Sequence, residues 1–256
     1  MNLNDIIENK QWIKKLYPFP HIIAKNVFSK SFYEKLEMAF DKIVTDFTKN
    51  GNNYYLKKIP NYGAYSASVN SNFDTAFQLF LTLDWHNLLA NLFEIKATGN
   101  IDIALHHHEI GSRNGWIHND LNPGWFPKKN IRDSYIQIPN ADLCNYKTGA
   151  PSNNAGVCVE NVRALAMIFY LNNTFKSSLN GGGTALYKFR DDDVAKPAVV
   201  YPPENNSILI FPCTPFSYHT FLCNREYPRN SIIMWLHVTK DDAVNKWGQK
   251  SIIKWE

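Results

Sequence analysis

The segment Gly115-Trp116-Ile117-His118-Asn119-Asp120 sets an imidazole and a carboxylate two residues apart. On extended backbone, residues i and i+2 share a face, so His118 and Asp120 stand side by side. They form two thirds of a facial metal triad, an arrangement that leaves coordination positions open on non-haem iron(II). His-x-Asp alone also reads as a solvent-facing turn. A third ligand is offered downstream. The apolar run Asn206 to Phe211 leads through a short Pro-containing turn into Ser217-Tyr218-His219-Thr220-Phe221. Ten residues after His219 stands Arg229, which opens Arg229-Asn230-Ser231-Ile232-Ile233-Met234-Trp235-Leu236. A hairpin of that length returns the chain beside His219, with Arg229 deeper in the same barrel. A buried guanidinium needs an anion, because an unpaired charge there costs several kcal/mol. A dicarboxylate would supply it through a bidentate contact.

These residues need strands to aim them, and the second half of the chain provides strand patterns. Asn100 to Glu109 alternates, with Ile101, Ile103 and Leu105 between polar or small residues. Val162 to Leu171 is a nearly continuous apolar run. Thr184–Phe189, Ser207–Phe211, Ser217–Leu222 and Ser231–Val238 are further short candidates, separated by Gly, Pro and Asn clusters. Many short strands with turns between them predict an antiparallel barrel or sandwich. The first hundred residues read as mainly helical. Apolar positions from Ser31 to Phe47 recur at helical steps, with Ser31 as N-cap and Glu34 completing a capping box. Asn72 to Ile95 reads as two helices joined near Asp84. Gly51 to Asn72 reads as loop with one short strand.

The chain therefore divides into a helical support over 1–100, a β core over 101–240 and a tail over 241–256, all in a single domain. The stretch 121–161 fits neither pattern. Its prolines and asparagines mark a long insertion of the kind that serves as a lid. Trp125, Phe126, Arg132, Tyr135 and Tyr146 suit a lid that closes over a small polar molecule, and equally an ordinary surface loop.

Composition narrows the function classes. With 256 residues, 45% hydrophobic, 14% aromatic and 20% charged, the chain is not a disordered tail, a collagen-like repeat or a coiled coil. A net charge of +4 without a basic run is too weak to point to nucleic acid. No segment approaches the run of about 20 apolar residues a membrane helix needs. Charged residues interrupt the N-terminus, unlike a signal peptide. Cys144, Cys158, Cys213 and Cys223 form no Cys-x-x-Cys pair. They read as reduced thiols of a cytoplasmic protein.

His118-x-Asp120 is followed in order by Phe169-Tyr170-Leu171-Asn172, Gly182-Gly183-Thr184-Ala185-Leu186-Tyr187, Asn206 to Phe211, His219 and Arg229. This set, spread over Ile101 to Val238, resembles the iron(II)/2-oxoglutarate-dependent oxygenases, most of all their prolyl-4-hydroxylase-like branch. The resemblance implies an α+β fold: a double-stranded β-helix, the jelly-roll or cupin-like barrel, with the N-terminal helices packed on one outer face. It implies Fe(II) held by His118, Asp120 and His219, with 2-oxoglutarate and O2 as cosubstrates. Arg229 would hold the distal carboxylate, Ser231 would add a hydroxyl from the same face, and Tyr170 would contact the cosubstrate. The Gly182-Gly183-Thr184 turn would be structural, a sharp entry into the next strand. The implied reaction couples 2-oxoglutarate decarboxylation, yielding succinate and CO2, to substrate hydroxylation. Asp120 favours hydroxylation over halogenation, since halogenating relatives carry a small residue there.

Weaker candidates surround this set. In His106-His107-His108, alternation turns His106 and His108 to one face and His107 to the other. They read as a polar strand near the pocket mouth, with His106 or His108 available to substrate. Arg113, Arg163 and Trp125 are further candidates for substrate contact, and surface salt bridges account for both arginines more simply. Asp191-Asp192-Asp193 reads as a solvated turn, and His86 and His237 as structural. The expected substrate is a small polar molecule, such as a free amino acid or a biosynthetic intermediate, with neither nucleic acid nor membrane as partner. The rivals are a prolyl-type hydroxylase of a peptide or protein, and a jelly-roll that binds a metal or ligand without catalysis. An open groove at the pocket mouth would favour a peptide; a lid built from 121–161 would favour a small molecule.

Overall fold

The structure, a computed structural model, describes residues 2–50 (backbone only for 47–50), 56–59, 63–128, 135–152, 156–174 and 181–253. The sequence candidates Arg132 and the side chain of Phe47 lie outside this set. In chain order the elements are α1 (Leu3–Ile6), β1 (Ile13–Lys15), β2 (His21–Lys25), α2 (Lys30–Asn50), β3 (Lys57–Ile59), β4 (Ala64–Ser68), α3 (Leu83–Asn91), β5 (Ile101–His108), β6 (Pro123–Pro127), β7 (Cys158–Tyr170), β8 (Thr184–Leu186), β9 (Val199–Tyr201), β10 (Ser207–Pro212), β11 (His219–Phe221), β12 (Arg229–Thr239) and α4 (Lys240–Trp247).

A nine-stranded sheet runs β1-β2-β10-β7-β12-β5-β4-β3, with β6 also paired to β7; a three-stranded sheet runs β11-β8-β9. The paired strands are antiparallel, as in a jelly-roll. Among the described residues, no helix is long and apolar enough to cross a membrane.

Alternation decides which side chains face where. Along β12, Ile232, Met234 and Leu236 join one hydrophobic cluster, whereas Arg229, Ile233 and Trp235 line an internal cavity. Along β5, Ile101, Ile103 and Leu105 belong to the same cluster, while Asp102, Ala104, His106 and His108 border the cavity. That cluster also holds Phe32, Leu36 and Phe40 of α2 and Trp85 and Leu89 of α3. Phe169 of β7 meets Phe28 at 5.1 Å and Tyr33 at 6.4 Å between ring centroids. Full burial of one such phenylalanine contributes about 1.5–3 kcal/mol, so this layer is a main source of stability.

The first hundred residues are less helical than their periodicity suggests, because β1 to β4 lie there. β2 pairs with β10, and β4 pairs with β5. Strands of three to five residues are too short to show a period against flanking loops, and their register comes from long-range partners. Helix α2 begins at Lys30, ahead of Ser31, and the Ser29 carbonyl takes the Tyr33 N–H at 2.9 Å. Asn72 to Ile95 resolves into a 3-10 turn, Phe77–Leu81, and α3; they join at Thr82, whose hydroxyl caps the Trp85 N–H at 3.3 Å. The 121–161 stretch carries β6 and the start of β7.

One irregularity matters for the site. In the β7–β12 pairing, Leu236 opposes Leu165 and His237 opposes Arg163, so Ala164 is an extra residue. A bulge of this kind shifts side-chain parity. It turns Arg163 to the inner face, in line with Trp235 and His237. The Ala164 carbonyl is taken up by the Cys213 N–H at 2.9 Å.

Candidate active site

His118 and His219 are brought together by two backbone hydrogen bonds. His118 N–H donates to the His219 carbonyl at 3.1 Å, and His219 N–H returns to the His118 carbonyl at 2.9 Å. Their rings stand 4.5 Å apart between centroids. Asp120, two residues past His118, places one carboxylate oxygen 3.7 Å from His118 Nε2 and the other 3.4 Å from His219 Nε2. Among the described residues, these three offer donor atoms all within 4.8 Å of one another.

Each histidine has its tautomer fixed from behind. His118 Nδ1 lies 2.8 Å from the Trp116 carbonyl, and His219 Nδ1 lies 3.0 Å from the Ser217 carbonyl. A carbonyl only accepts, so each Nδ1 carries a proton, and it is Nε2 whose lone pair the neutral ring would offer to a metal. Burial, aided by the neighbouring His219, pushes the His118 imidazole down to about 4 and keeps it neutral. Burial alone would raise the Asp120 carboxyl. The hydrogen bond and charge of His219, with His118 and Arg163, outweigh it and hold the group well below the ordinary carboxylate range. Two imidazole Nε2 atoms and one carboxylate fit the donor set of non-haem iron(II).

Asp120 is held from below. Trp235 Nε1 donates to Asp120 Oδ2 at 2.8 Å. Arg163, 5% exposed, lies 3.6 Å from Asp120 Oδ1 and 2.9 Å from Asp102 Oδ2, with its guanidinium 3.6 Å from the Trp235 ring centroid.

On the same inner face, Arg229 is 3% exposed. Its Nη1 donates to Ser231 Oγ at 2.7 Å and its Nη2 to Thr184 Oγ1 at 3.4 Å. The Tyr170 hydroxyl also donates to Thr184 Oγ1, at 2.6 Å, and its ring lies 5.2 Å from the guanidinium. Among the described residues, Arg229 Nε has no hydrogen-bond partner. Among the described residues no carboxylate lies within 4 Å of this guanidinium. Such a group is built to receive an anion. The turn before β8 delivers Thr184. Gly182 sits at φ +77°, a backbone conformation that strains any side chain, and a Cβ on Gly183 would come within 2.9 Å of the Tyr201 carbonyl oxygen.

His118, Asp120, His219, Arg163, Trp235, Thr184 and Arg229 border one cavity of about 1170 Å³. His106 and His108 border it. His108 stacks on Phe221 at 4.0 Å, while His107 points away to Asn230 Oδ1 at 2.7 Å. Burial and the Arg229 charge push His106 down to about 3. Ile138, Pro139, Ala141, Cys144, Asn145 and Tyr146 supply a further wall. Two candidates for substrate contact stand elsewhere. Trp125 sits on β6 with its ring over Gly149, and Arg113 is exposed; neither borders the cavity. Arg163 does border it, but Asp102 and Asp120 already match its charge. Sequence reasoning missed Thr184, Trp235 and the role of Arg163. Alternation onward from Arg229 and Ser231 marks Trp235 as inward, whereas the bulge hides Arg163.

Residues 153–237 match the family model described as the 2OG-Fe(II) oxygenase superfamily. The matched stretch contains Tyr170, His219 and Arg229; His118 and Asp120 precede it. No curated protein matches the chain significantly. Solved structures share the fold. A Pseudomonas putida prolyl-4-hydroxylase is 12% identical with a TM-score of 0.55, covering 92% of this chain and 98% of its own. A prolyl hydroxylase from Trichoplax adhaerens, in complex with a hypoxia inducible factor peptide fragment, is 14% identical with a TM-score of 0.56, covering 95% and 91%. A viral collagen prolyl hydroxylase from Paramecium Bursaria Chlorella virus-1, in its 2OG complex, is 10% identical with a TM-score of 0.52, covering 86% and 96%. Over residues 153–237 the chain thus resembles the 2OG-Fe(II) oxygenase superfamily, and its jelly-roll, which gathers two histidines, an aspartate and a buried arginine, has the fold of these prolyl hydroxylases.

Proposed function

We propose that the enzyme hydroxylates an unactivated C–H bond of a small polar substrate, such as a free amino acid or a biosynthetic intermediate, and releases succinate and CO2 from 2-oxoglutarate. In this reading His118 Nε2, Asp120 and His219 Nε2 hold Fe(II). Bound together, the metal and the 2-oxo acid supply the activation of O2. Arg229 receives the distal carboxylate of 2-oxoglutarate, flanked by the hydroxyls of Ser231 and Thr184, with Tyr170 behind. The Trp116 and Ser217 carbonyls keep both imidazoles in the ligating tautomer, and Trp235 and Arg163 keep Asp120 ionised and oriented. The 256 residues act as one catalytic domain, with the N-terminal helices supporting the outer face of the large sheet.

The observation that carries this reading is Arg229: a buried cation with no carboxylate partner among the described residues, opening into the same cavity as the His-Asp-His group. The choice of a small substrate rests on the 135–152 segment, seven of whose residues wall that cavity. Small-molecule sites occupy about 300–1,000 Å³, and this cavity must also take the cosubstrate. The reading places the enzyme in the cytoplasm, in agreement with its four unpaired cysteines.

A second reading is a prolyl-type peptide hydroxylase, favoured by the fold likeness to prolyl hydroxylases, one of them with a bound peptide. A panel of amino acids, small metabolites and proline-containing peptides, followed by succinate release and a +16 mass shift, separates the two. Turnover of a small molecule supports the first reading, and turnover of peptides alone supports the second. An enzyme that binds 2-oxoglutarate yet never forms succinate would return the chain to a non-catalytic jelly-roll.

A further inference from the structure

Tyr146 belongs to the long connection between Asp120 and Arg163, yet its hydroxyl reaches the floor of the metal site. Arg163 Nε donates to it at 3.1 Å. It also meets His237 Nε2 at 2.8 Å. His237 Nδ1 lies 3.0 Å from the Asn100 carbonyl and so carries that ring's proton. His237 Nε2 is therefore an acceptor, and the Tyr146 hydroxyl must donate to it. The chain of donors runs one way, from Arg163 to Tyr146 to His237 to the Asn100 carbonyl. With its Nε–H committed to Tyr146, the Arg163 guanidinium sends its Nη atoms to Asp102 and Asp120.

The seat of Tyr146 is built. Its carbonyl takes the Trp125 N–H at 2.8 Å. Gly124 leaves room for the ring, since a Cβ there would lie 2.4 Å from it. Phe126 packs edge-on at 5.5 Å. The turn that follows is tied by Asn145, whose side-chain oxygen accepts the N–H groups of Lys147 and Thr148 at 2.9 and 3.0 Å. Tyr146 also borders the cavity, as do its neighbours Asn145 and Lys147.

We propose that Tyr146 is a positioning residue of the metal site: it fixes Arg163 against Asp120, so that seating of the cavity wall and the geometry of the iron carboxylate are set together. This rests on the iron-site reading above. The test is Mn(II) affinity of the full chain in the presence of 2-oxoglutarate, followed by the loss of the free Mn(II) electron paramagnetic resonance signal. Y146F removes one oxygen and keeps the ring. Loss of an outer-shell partner typically weakens metal binding 10–100-fold, and Tyr146 acts through one intervening residue, so about 10-fold weaker Mn(II) binding is expected. R163K keeps a cation near Asp120 but has no Nε–H for Tyr146. It should weaken binding similarly, and the double variant Y146F/R163K should be no worse than R163K alone. Additive losses would mean the two residues act separately and overturn the proposal. So would Y146F binding Mn(II) within 2-fold of the parent, whatever its melting temperature. If Y146F fails to fold, R163K and the double variant built on Y146W carry the same comparison. A parent chain that binds no Mn(II) would overturn the iron-site reading itself, and this proposal with it.

Discussion

Replacing Arg229 with Ala separates its two possible duties. In the free enzyme the guanidinium is 3% exposed, gives hydrogen bonds to two hydroxyls, leaves Nε unpartnered and has no carboxylate within 4 Å among the described residues. Its removal therefore relieves an uncompensated buried charge while leaving a void beside Tyr170 and Phe221. These effects oppose each other, so the melting temperature of the free enzyme should move by less than about 4 °C. With cosubstrate the balance changes. A carboxylate on this fork accepts two charge-assisted hydrogen bonds of about 1.5–3 kcal/mol each, so their loss weakens 2-oxoglutarate by roughly two to four orders of magnitude. Calorimetric titration of 2-oxoglutarate into the Mn(II)-loaded protein reads the cosubstrate, and a separate Mn(II) titration reads the metal, whose affinity should stay close to the parent's. Arg229→Lys should fall between, because an ammonium supplies the charge but not the planar fork. The reasoning is refuted if R229A binds 2-oxoglutarate within 3-fold of the parent, or if metal and cosubstrate affinities fall together.

Two further outcomes follow from the packing around Tyr146 and His237. Gly124→Ala places a methyl 2.4 Å from the Tyr146 ring. It should cost about 1–3 kcal/mol in urea unfolding as the ring is displaced; an unchanged midpoint would mean that the segment yields freely. His237 is fully buried, and burial, then the Arg163 charge, pushes its imidazole from 6.5 down to about 3. Between those values the unfolded chain takes up a proton that the folded chain refuses, so stability falls as pH falls, by about 1.4 kcal/mol per pH unit from this group. His237→Gln should flatten the decline measured between about pH 6 and pH 4 by that amount. An unaltered slope would assign the acid sensitivity to other groups.

The triad stood in the sequence because it obeys local rules. His118 and Asp120 share a face by spacing, and His219 follows an apolar strand and a turn. Arg229 and Ser231 on β12 were legible for the same reason, and the same alternation carries on to Trp235, which was not singled out. What was hidden depends on contacts between distant segments. The extra residue at Ala164 reverses parity and converts Arg163 from a candidate for substrate contact into a brace for Asp120. Tyr146 lies in a stretch without periodicity, and only the glycine opposite it shows where its ring goes. Trp125 drew notice as a lid aromatic, but the β6–β7 pairing sets it over Gly149 instead. Of the strands in the first hundred residues, one short strand between Gly51 and Asn72 was expected; the others escaped because three to five residues give no period, and only the sheet they extend identifies them.

The central claim is that one cavity holds iron(II) on His118, Asp120 and His219 and a 2-oxo dicarboxylate anchored on Arg229. Anaerobic addition of 2-oxoglutarate to the Fe(II)-loaded protein tests it directly. Chelation of the metal by the 2-oxo acid should produce a weak visible metal-to-ligand charge-transfer band, saturating at one equivalent and shifted to far higher 2-oxoglutarate concentration in R229A. A protein that binds Fe(II) and 2-oxoglutarate but never develops that band would contradict the account.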